Sequence, residues 1–264
     1  MRRYVFLLLL PLYVLFFTFE VRAAQPTFSN LLQDQLDGLY KDLGTIMYPT
    51  TVSGASSLGK IFGFEVGVLA GAGNSPHVDA LTPDKVDKLP KAGLMGIVTA
   101  PFGLGVEASV LPVKVNGFEY DYKAIGGRWT VNEVFSAIPI IDLKLKLDFT
   151  SADLKWHQNI GTIPVEVNYK NTSVAYSVTV GKKILFIEPY AGLGRIHGKS
   201  SLTSTGTVSI FNTSVPVSAR EDVAHSTTYY FFGADFHLLL LHLGVEMANV
   251  YDNRVVVGKL SFGF

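Results

Sequence analysis

Apolar side chains recur at every second position over most of the chain beyond residue 60. The clearest run is Ile141 to Phe149, in which five apolar residues alternate with two lysines and two aspartates. A period of two predicts a β-strand that is apolar on one face and charged on the other. Similar segments predict about ten strands, at 60–68, 92–100, 104–110, 118–123, 141–149, 165–180, 184–196, 227–238, 240–250 and 254–264.

These two-faced strands fit two architectures. In a soluble two-layer protein the charged faces meet water and the apolar faces form the core, whereas in a transmembrane barrel leucines face lipid and charges face the lumen. A whole set of strands without charge on the apolar side favours the barrel, and bacterial barrels have an even number of strands. The predicted fold is therefore all-β: a transmembrane antiparallel β-barrel of about 10 strands (8–12), with an N-terminal amphipathic helix.

The last strand, 254–264, ends on Phe264, with Phe262 and Leu260 at the preceding alternate positions. A terminal strand with an aromatic end is typical of bacterial outer-membrane barrels, in which the last strand closes the sheet. We therefore expect Phe262 and Phe264 to mark the barrel closure, and the barrel-assembly machinery to be a partner through this strand. The alternative is an ordinary final strand of a soluble sheet.

The N-terminus has the features of a cleaved secretory signal, predicted to be residues 1–23. Arg2 and Arg3 precede an apolar stretch, and Val21 to Ala23 forms a small-residue cleavage site. An uncleaved anchor helix is the alternative, although Pro11 interrupts the stretch. Export would leave a helical segment at 24–58 and the barrel at 59–264.

A helix is predicted from Asn30 to Leu43, with Asn30 as its cap and Gly44 as its end. Its position ahead of the strands suggests a periplasmic lid or a plug inside the lumen, and packing on a soluble sheet remains the alternative. The apolar face consists of leucines spaced by three and four residues: Leu32, Leu36, Leu39 and Leu43.

Composition narrows the possibilities further. Only 17% of the residues are charged, against about a quarter in ordinary soluble domains. No apolar run beyond residue 20 is long enough for a transmembrane helix. The absence of cysteine excludes disulfides, thiolate metal sites and a catalytic cysteine. With 22 basic and 22 acidic residues, the chain has no charge excess that would attract nucleic acid.

If the apolar faces meet lipid, the opposite faces line the lumen. A barrel of this size is narrow, so its interior groups either fill it as ion pairs or leave a weakly cation-selective pore, and filling is favoured. The predicted lumen residues are Glu65, Glu107, Asp142, Lys144, Lys146, Asp148, Glu188, Asp235, His237, His242 and Glu246, and the same register adds Glu119, Asp121, Lys123, Glu166, Lys170 and Lys259.

Three longer connections, 72–90, 156–163 and 199–226, are predicted as outward loops. They contain or border His77, His157, His197 and His225, together with acidic residues. Imidazole beside a carboxylate can activate water, and several histidines can hold a metal ion. No close-spaced ligand pair or catalytic motif accompanies them, so we expect neither an enzyme nor a cofactor or metal site.

Several short runs resemble an uncharacterised family of bacterial outer-membrane β-barrel proteins. They are Leu39 to Gly44 before Gly63-Phe64, Thr99-Ala100-Pro101, Gly126 to Trp129 leading to Ile138-Pro139, and Glu188 to Gly194. That family is similar in outline to fatty-acid-transport-type barrels, which implies a bacterial outer-membrane location and an N-terminal segment near the lumen. The resemblance implies no activity.

Three functions remain open. The first is porin-like binding or passage of small molecules, including apolar ones, gated by the helix. The second is a filled barrel with a structural or surface-interaction role. The third, and least favoured, is a rim hydrolase of the omptin type. The expected partners are outer-membrane lipid and a small apolar ligand.

Overall fold

The computed structural model describes residues 33–59, 61–81, 87–115, 118–135, 141–160, 163–210 and 213–264. The signal peptide at 1–23, Asn30 and Leu32 lie outside the described residues. Ten antiparallel strands form one closed barrel, so the predicted fold is confirmed. The strands are β1 Gly63–Asn74, β2 Lys88–Thr99, β3 Leu104–Val115, β4 Phe118–Thr130, β5 Asp142–Ile160, β6 Ile163–Gly181, β7 Ile187–Ile210, β8 Thr213–Leu238, β9 Leu241–Val250 and β10 Asn253–Gly263.

The barrel closes where β1 pairs with β10. Beyond the last residue of β10, Phe264 and Phe64 exchange two backbone hydrogen bonds, with N–O distances of 2.9 and 3.0 Å. Their rings lie 6.2 Å apart, and Phe262 lies opposite Val66. The structure thus places both terminal aromatics at the seam.

The two ends of the barrel differ. At one end, here called the extended end, β5 to β8 run well beyond the other strands, because β7 and β8 have 24 and 26 residues but β9 only 10. The opposite end, here called the turn end, is where β1 begins and where β2, β6 and β8 connect to the next strand. Short turns face the periplasm in outer-membrane barrels.

The extension corrects the loop prediction. Residues 156–160 and 163 belong to β5 and β6, and 199–210 and 213–226 belong to β7 and β8. The segments of β7 and β8 are rich in threonine and valine, which suit strands, but their many polar residues interrupt the apolar alternation. Between β1 and β2, a short helix (α2, Pro76–Leu81) replaces part of the predicted loop.

The face that carries the apolar side chains changes along the strands. It is the outer face in the region nearer the turn end, here called the band, and the inner face beyond it toward the extended end. On β5, outward positions are apolar up to Phe149 and polar from Ser151 onward, while the inward side changes from Asp148 to Leu154 and Trp156. On β6 the change falls between Val174 and Thr172, which both face outward. The barrel is therefore apolar outside and charged inside within the band, and has the polarity of a soluble protein beyond it.

The N-terminal helix fills the barrel interior beyond the lipid-facing band, where the inward side chains are apolar. This helix, α1, spans Gln33–Ile46 and continues two residues beyond the predicted end at Gly44. Leu39 and Leu43 are buried, and the Tyr40 ring stacks on Tyr169 with 5.8 Å between centroids. The side chain of Leu36 is not among those described. The inner wall contributes Leu154, Trp156, Val165, Val167, Tyr169 and Leu202 to this core.

After α1 the chain continues as the plug segment, residues 47–58, which has no regular secondary structure beyond the turn at Met47. It starts near the extended end, where Thr45 donates a hydrogen bond to the Val250 carbonyl at 2.9 Å. It finishes at the turn end, where Ser56 contacts Asp142 at the start of β5. Of the two predicted placements, lid or plug, the structure has the plug.

Two further helical features are single 3₁₀ turns, at Pro101–Gly103 and at Val131–Glu133. Residues 136–140, which follow the second turn, lie outside the described residues. Among the residues that the structure describes, no helix is long and apolar enough to cross a membrane.

Candidate functional site: the plugged lumen

The centre of the lumen is organised around one buried carboxylate, Glu107 on β3. Arg128 on β4 pairs with it at 2.9 Å, Lys146 on β5 pairs at 2.9 Å, and Lys144 lies 4.0 Å away. Asp148 balances part of this positive charge through Lys146, at 3.2 Å. Buried charges are stable only when paired in this way.

The plug segment completes this central cluster with hydroxyl groups. Thr51 and Ser53 donate hydrogen bonds to the two oxygens of Glu107. One residue before Thr51, Thr50 donates to Glu246 at 2.6 Å, and Tyr190 donates to the other oxygen of the same carboxylate at 3.0 Å. The segment is therefore bound by the lumen carboxylates themselves.

Side chains of the barrel wall in turn donate hydrogen bonds to the backbone carbonyls of the plug segment. Lys144 donates to the Ser53 carbonyl at 2.8 Å, Arg128 donates to the Ser56 carbonyl at 2.8 Å, and Thr130 donates to the Ala55 carbonyl at 2.9 Å. An extended segment without a neighbouring strand has unpaired peptide groups, and burying such groups without partners is costly. The polar side chains of the lumen wall are thus positioned to bind this one segment.

A second cluster lies toward the turn end. Lys259 on β10 bridges Glu65 and Asp235 at 2.7 Å each. His242 lies 3.4 Å from Glu65, and its ring is 4.5 Å from that of His237. The plug reaches this cluster too, because Glu188, which lies 3.8 Å from His237, accepts a hydrogen bond from the Ser56 N–H at 2.8 Å.

Toward the extended end, Lys91 and Asp42 connect the N-terminal segment to the barrel wall and to α2. Lys91 donates to the carbonyls of Ile46, the last residue of α1, and of Tyr48 in the plug segment. Asp42 on α1 accepts hydrogen bonds from the N–H groups of His77 and Val78 at the start of α2, at 2.7 and 2.8 Å. Burial, reinforced by nearby acidic residues, raises the pKa of Tyr40 to about 12, so this phenol is neutral.

The eleven predicted lumen residues all face inward. The plug segment contacts both clusters, at Glu107 and at Glu188. Five further assignments are wrong. Glu119, Asp121 and Lys123 on β4, and Glu166 and Lys170 on β6, face outward, because they lie beyond the point where the alternation reverses phase. Lys259 faces inward as predicted.

Sequence reasoning missed the residues that hold the plug: Lys91, Arg128, Thr50, Thr51 and Ser53. Arg128 was detectable, since it alternates with the apolar outward residues Ile125 and Trp129. The hydroxyl-rich run from Thr50 to Ser57 was visible as composition, but it has no period that would place it in a lumen.

The four histidines do not converge on a rim site. His77 lies in α2 and contacts Asp42, while His157 and His197 face outward, the first beside Glu166 at 3.3 Å. His225, on β8, faces the interior of the barrel. Among the described parts of the chain, no group of three or more histidines and acidic residues is positioned to hold a metal ion.

One arrangement resembles a hydrolase dyad. Ser200 lies 3.0 Å from His225 Nε2, and Tyr251 contacts His225 Nδ1. A nucleophile needs substrate access, but Ser200 is only 2% exposed, and Asn171 and Tyr169 also bond its hydroxyl at 2.8 and 2.9 Å. We interpret this group as a satisfied polar network that joins β6, β7 and β8.

Open space along the plug is limited and divided. A pocket of about 20 Å³ lies beside Arg128, Glu188 and His237, and another of about 10 Å³ lies beside Tyr48 and Glu246. Sites for small molecules generally begin at about 300 Å³ and are mostly apolar. These pockets are small, and charged residues line both.

No protein-family model and no curated protein matches this sequence. The chain is similar to bacterial outer-membrane β-barrels. Ail of Yersinia pestis has 12% identity over 77% of this chain and 97% of its own, with a TM-score of 0.32. The translocator domain of NalP from Neisseria meningitidis has 10% identity over 88% and 94%, with a TM-score of 0.40. Omp33 of Acinetobacter baumannii has 11% identity over 78% and 100%, with a TM-score of 0.31.

These similarities concern the fold only. The resemblance expected from the sequence, to an outer-membrane β-barrel family, agrees with them at that level. They assign no activity, so any function has to be argued from the lumen and the extension of this chain.

Proposed function

We propose that the protein is a bacterial outer-membrane barrel whose lumen is closed by its own N-terminal segment, and which acts through the surface of its extended end. The observation that carries this proposal is the fit between plug and wall. Glu107, Arg128 and Lys144 all spend hydrogen-bonding capacity on residues 51–56. A lumen shaped for a permeant molecule would keep such groups available to it.

The extended end supplies the surface. There β5 to β8 form a four-stranded sheet whose outer face is polar and whose inner face packs on α1. Helix α1 therefore serves as the core of this projecting sheet, which makes the sheet rigid. A rigid, polar, mixed-charge surface held away from the membrane suits contact with another macromolecule or with neighbouring lipid headgroups.

Conductance tests the closed lumen. We expect the full chain, reconstituted in a planar bilayer, to carry no steady ion current, and a variant without residues 33–58 to open a pore. A steady current through the full chain would reject the closed-lumen proposal. A silent deletion variant that still folds would mean that wall side chains alone fill the lumen.

A second function, gated passage of small molecules, has one observation in its favour. The plug segment is held by hydroxyls and backbone carbonyls as well as by the apolar contacts of Tyr48 and Val52, and water can replace the polar bonds at small net cost. Reversible withdrawal of the segment would then open the lumen. An ion current that appears only when a small solute is added would favour this function over the first.

A further inference from the structure

Three highly exposed apolar side chains of the turn end stand at the tips of turns. Leu239 is 97% exposed, Leu185 is 85% exposed and Phe102 is 68% exposed. All three have positive φ, at 59°, 57° and 67°. Bulky residues rarely adopt this conformation, and glycine commonly serves at such positions. A strained backbone that presents a large apolar side chain outward indicates that the side chain has a favourable environment there.

The outer boundary of the lipid-facing band is marked by charge. On the outward face of three strands, a basic residue is the next outward position beyond an apolar one toward the extended end. These pairs are Ile125 and Lys123 on β4, Leu193 and Arg195 on β7, and Val256 and Arg254 on β10. The hydrocarbon region therefore cannot extend past this level. Any further apolar height has to lie toward the turn end.

The strands alone are too short for the membrane. On β3 the outward apolar positions run from Leu104 to Val110, six residue steps, or about 20 Å along the strand. On β8 they run from Leu238 to Tyr230, about 26 Å. A tilt of about 40° reduces these lengths to about 15–20 Å along the membrane normal, whereas the apolar band of such barrels is about 25 Å tall.

The turns supply the missing height without a break in the apolar surface. Leu238 and Leu240 flank Leu239, and Ile184 and Phe186 flank Leu185, and all four of these flanking side chains are exposed. The lipid-facing surface thus continues from the strands to the tips of the turns.

We propose that the three turns form a lipid-binding surface, with Phe102, Leu185 and Leu239 among the acyl chains of the inner leaflet. The occupant is lipid, rather than a periplasmic protein or a second copy of the chain, because the surface is continuous with the lipid-facing band and completes its height. This inference concerns the end opposite to the extension and goes beyond the proposed function.

Site-specific fluorescence tests this placement, since the chain has no cysteine of its own. Leu185→Cys and Leu239→Cys are each labelled with a small bimane fluorophore and reconstituted in vesicles whose lipids are brominated on the acyl chains. Leu193→Cys, inside the band, is the positive control, and Ala224→Cys, on the outer face of the extension, is the negative control. Aqueous iodide is the second quencher, and unheated gels establish that each variant is folded.

We expect both turn labels to be quenched by the brominated lipids within about twofold of the Leu193 label, and to resist iodide at least threefold better than the Ala224 label. Quenching of the turn labels by iodide alone, at the level of the Ala224 label, would overturn the proposal and place the turns in water. Protection from both quenchers would also overturn it, because protein would then cover the turns.

Discussion

Arg128 and Glu107 form an ion pair inside the lumen, with 2.9 Å between Nη1 and Oε1 and both side chains buried. The pair joins β4 to β3, and each partner also bonds the plug segment, Arg128 at the Ser56 carbonyl and Glu107 at Thr51. Wall and plug are therefore parts of one electrostatic unit. A change to either residue should affect the stability of the barrel and the closure of the lumen together.

The change Glu107→Gln should be strongly destabilising. It leaves Arg128 without its carboxylate and Lys146 with Asp148 alone, and removing one member of a buried ion pair costs about 3–5 kcal/mol. Urea unfolding in lipid vesicles measures the loss. The matched control is Glu119→Gln, whose exposed pair with Lys114 is expected to contribute less than about 1 kcal/mol. Equal losses for the two variants would contradict the central role of Glu107.

The fit of the plug should depend on Gly54. A Cβ atom at this position would lie 2.2 Å from the Glu188 carboxylate carbon, so an added side chain must shift either the Glu188 carboxylate or the plug segment. We expect Gly54→Leu to displace the segment and to produce ion conductance in planar bilayers. Gly127→Ala is the control, because nothing lies within 4 Å of its added Cβ. A Gly54→Leu barrel that remains closed would show that closure does not require this contact.

The direction of the plug gives a topology prediction. The exposed Asp37 on α1 lies toward the extended end, and the exposed Lys183 lies at the turn end. Asp37→Cys should react with a membrane-impermeant maleimide on intact cells, as should Asp222→Cys on the extension. Lys183→Cys should react only after the outer membrane is permeabilised. The reverse pattern would invert the orientation of the barrel.

The sequence predicts the band region of the barrel well because a period of two is local. The strand count and the eleven inward lumen residues follow from it. Beyond the band, the same period carries the opposite meaning. Val165, Val167 and Tyr169 face inward, whereas Val174 and Tyr176 face lipid, and the change of parity between these two sets was readable in the sequence.

The plug could not be predicted in the same way. Its contacts join residues far apart in the chain, such as Thr50 with Glu246, and no local pattern relates the two. What the sequence does show is a hydroxyl-rich run between a helix and the first strand. That composition suits many exposed loops as well as a buried segment, so only the closed barrel explains why these hydroxyls are needed.

The network around Ser200 should be structural. Ser200→Ala removes a buried hydroxyl that bonds Tyr169, Asn171 and His225, and a lost hydrogen bond in such a buried network costs about 1–3 kcal/mol. We expect that loss in thermal or urea unfolding, and no reaction of the unaltered chain with a fluorophosphonate probe. Ser218→Ala, at an exposed position of β8, should have almost no effect on unfolding. Labelling of Ser200 by the probe would restore the hydrolase hypothesis.

Charge at the tips of the turns should disturb the barrel in proportion to its depth in lipid. Lysine on the lipid face of a barrel costs about 2–4 kcal/mol at the midplane and about 0–1 kcal/mol near the interface. If Leu239 reaches the acyl chains, Leu239→Lys should fall between these ranges, and the double variant with Leu185→Lys should lose about twice as much, because distant sites act additively. Ala224→Lys, on the polar extension, should lose nothing measurable. Reversible unfolding from vesicles gives all of these values, and a Leu239→Lys barrel as stable as Ala224→Lys would mean that the turn lies in water.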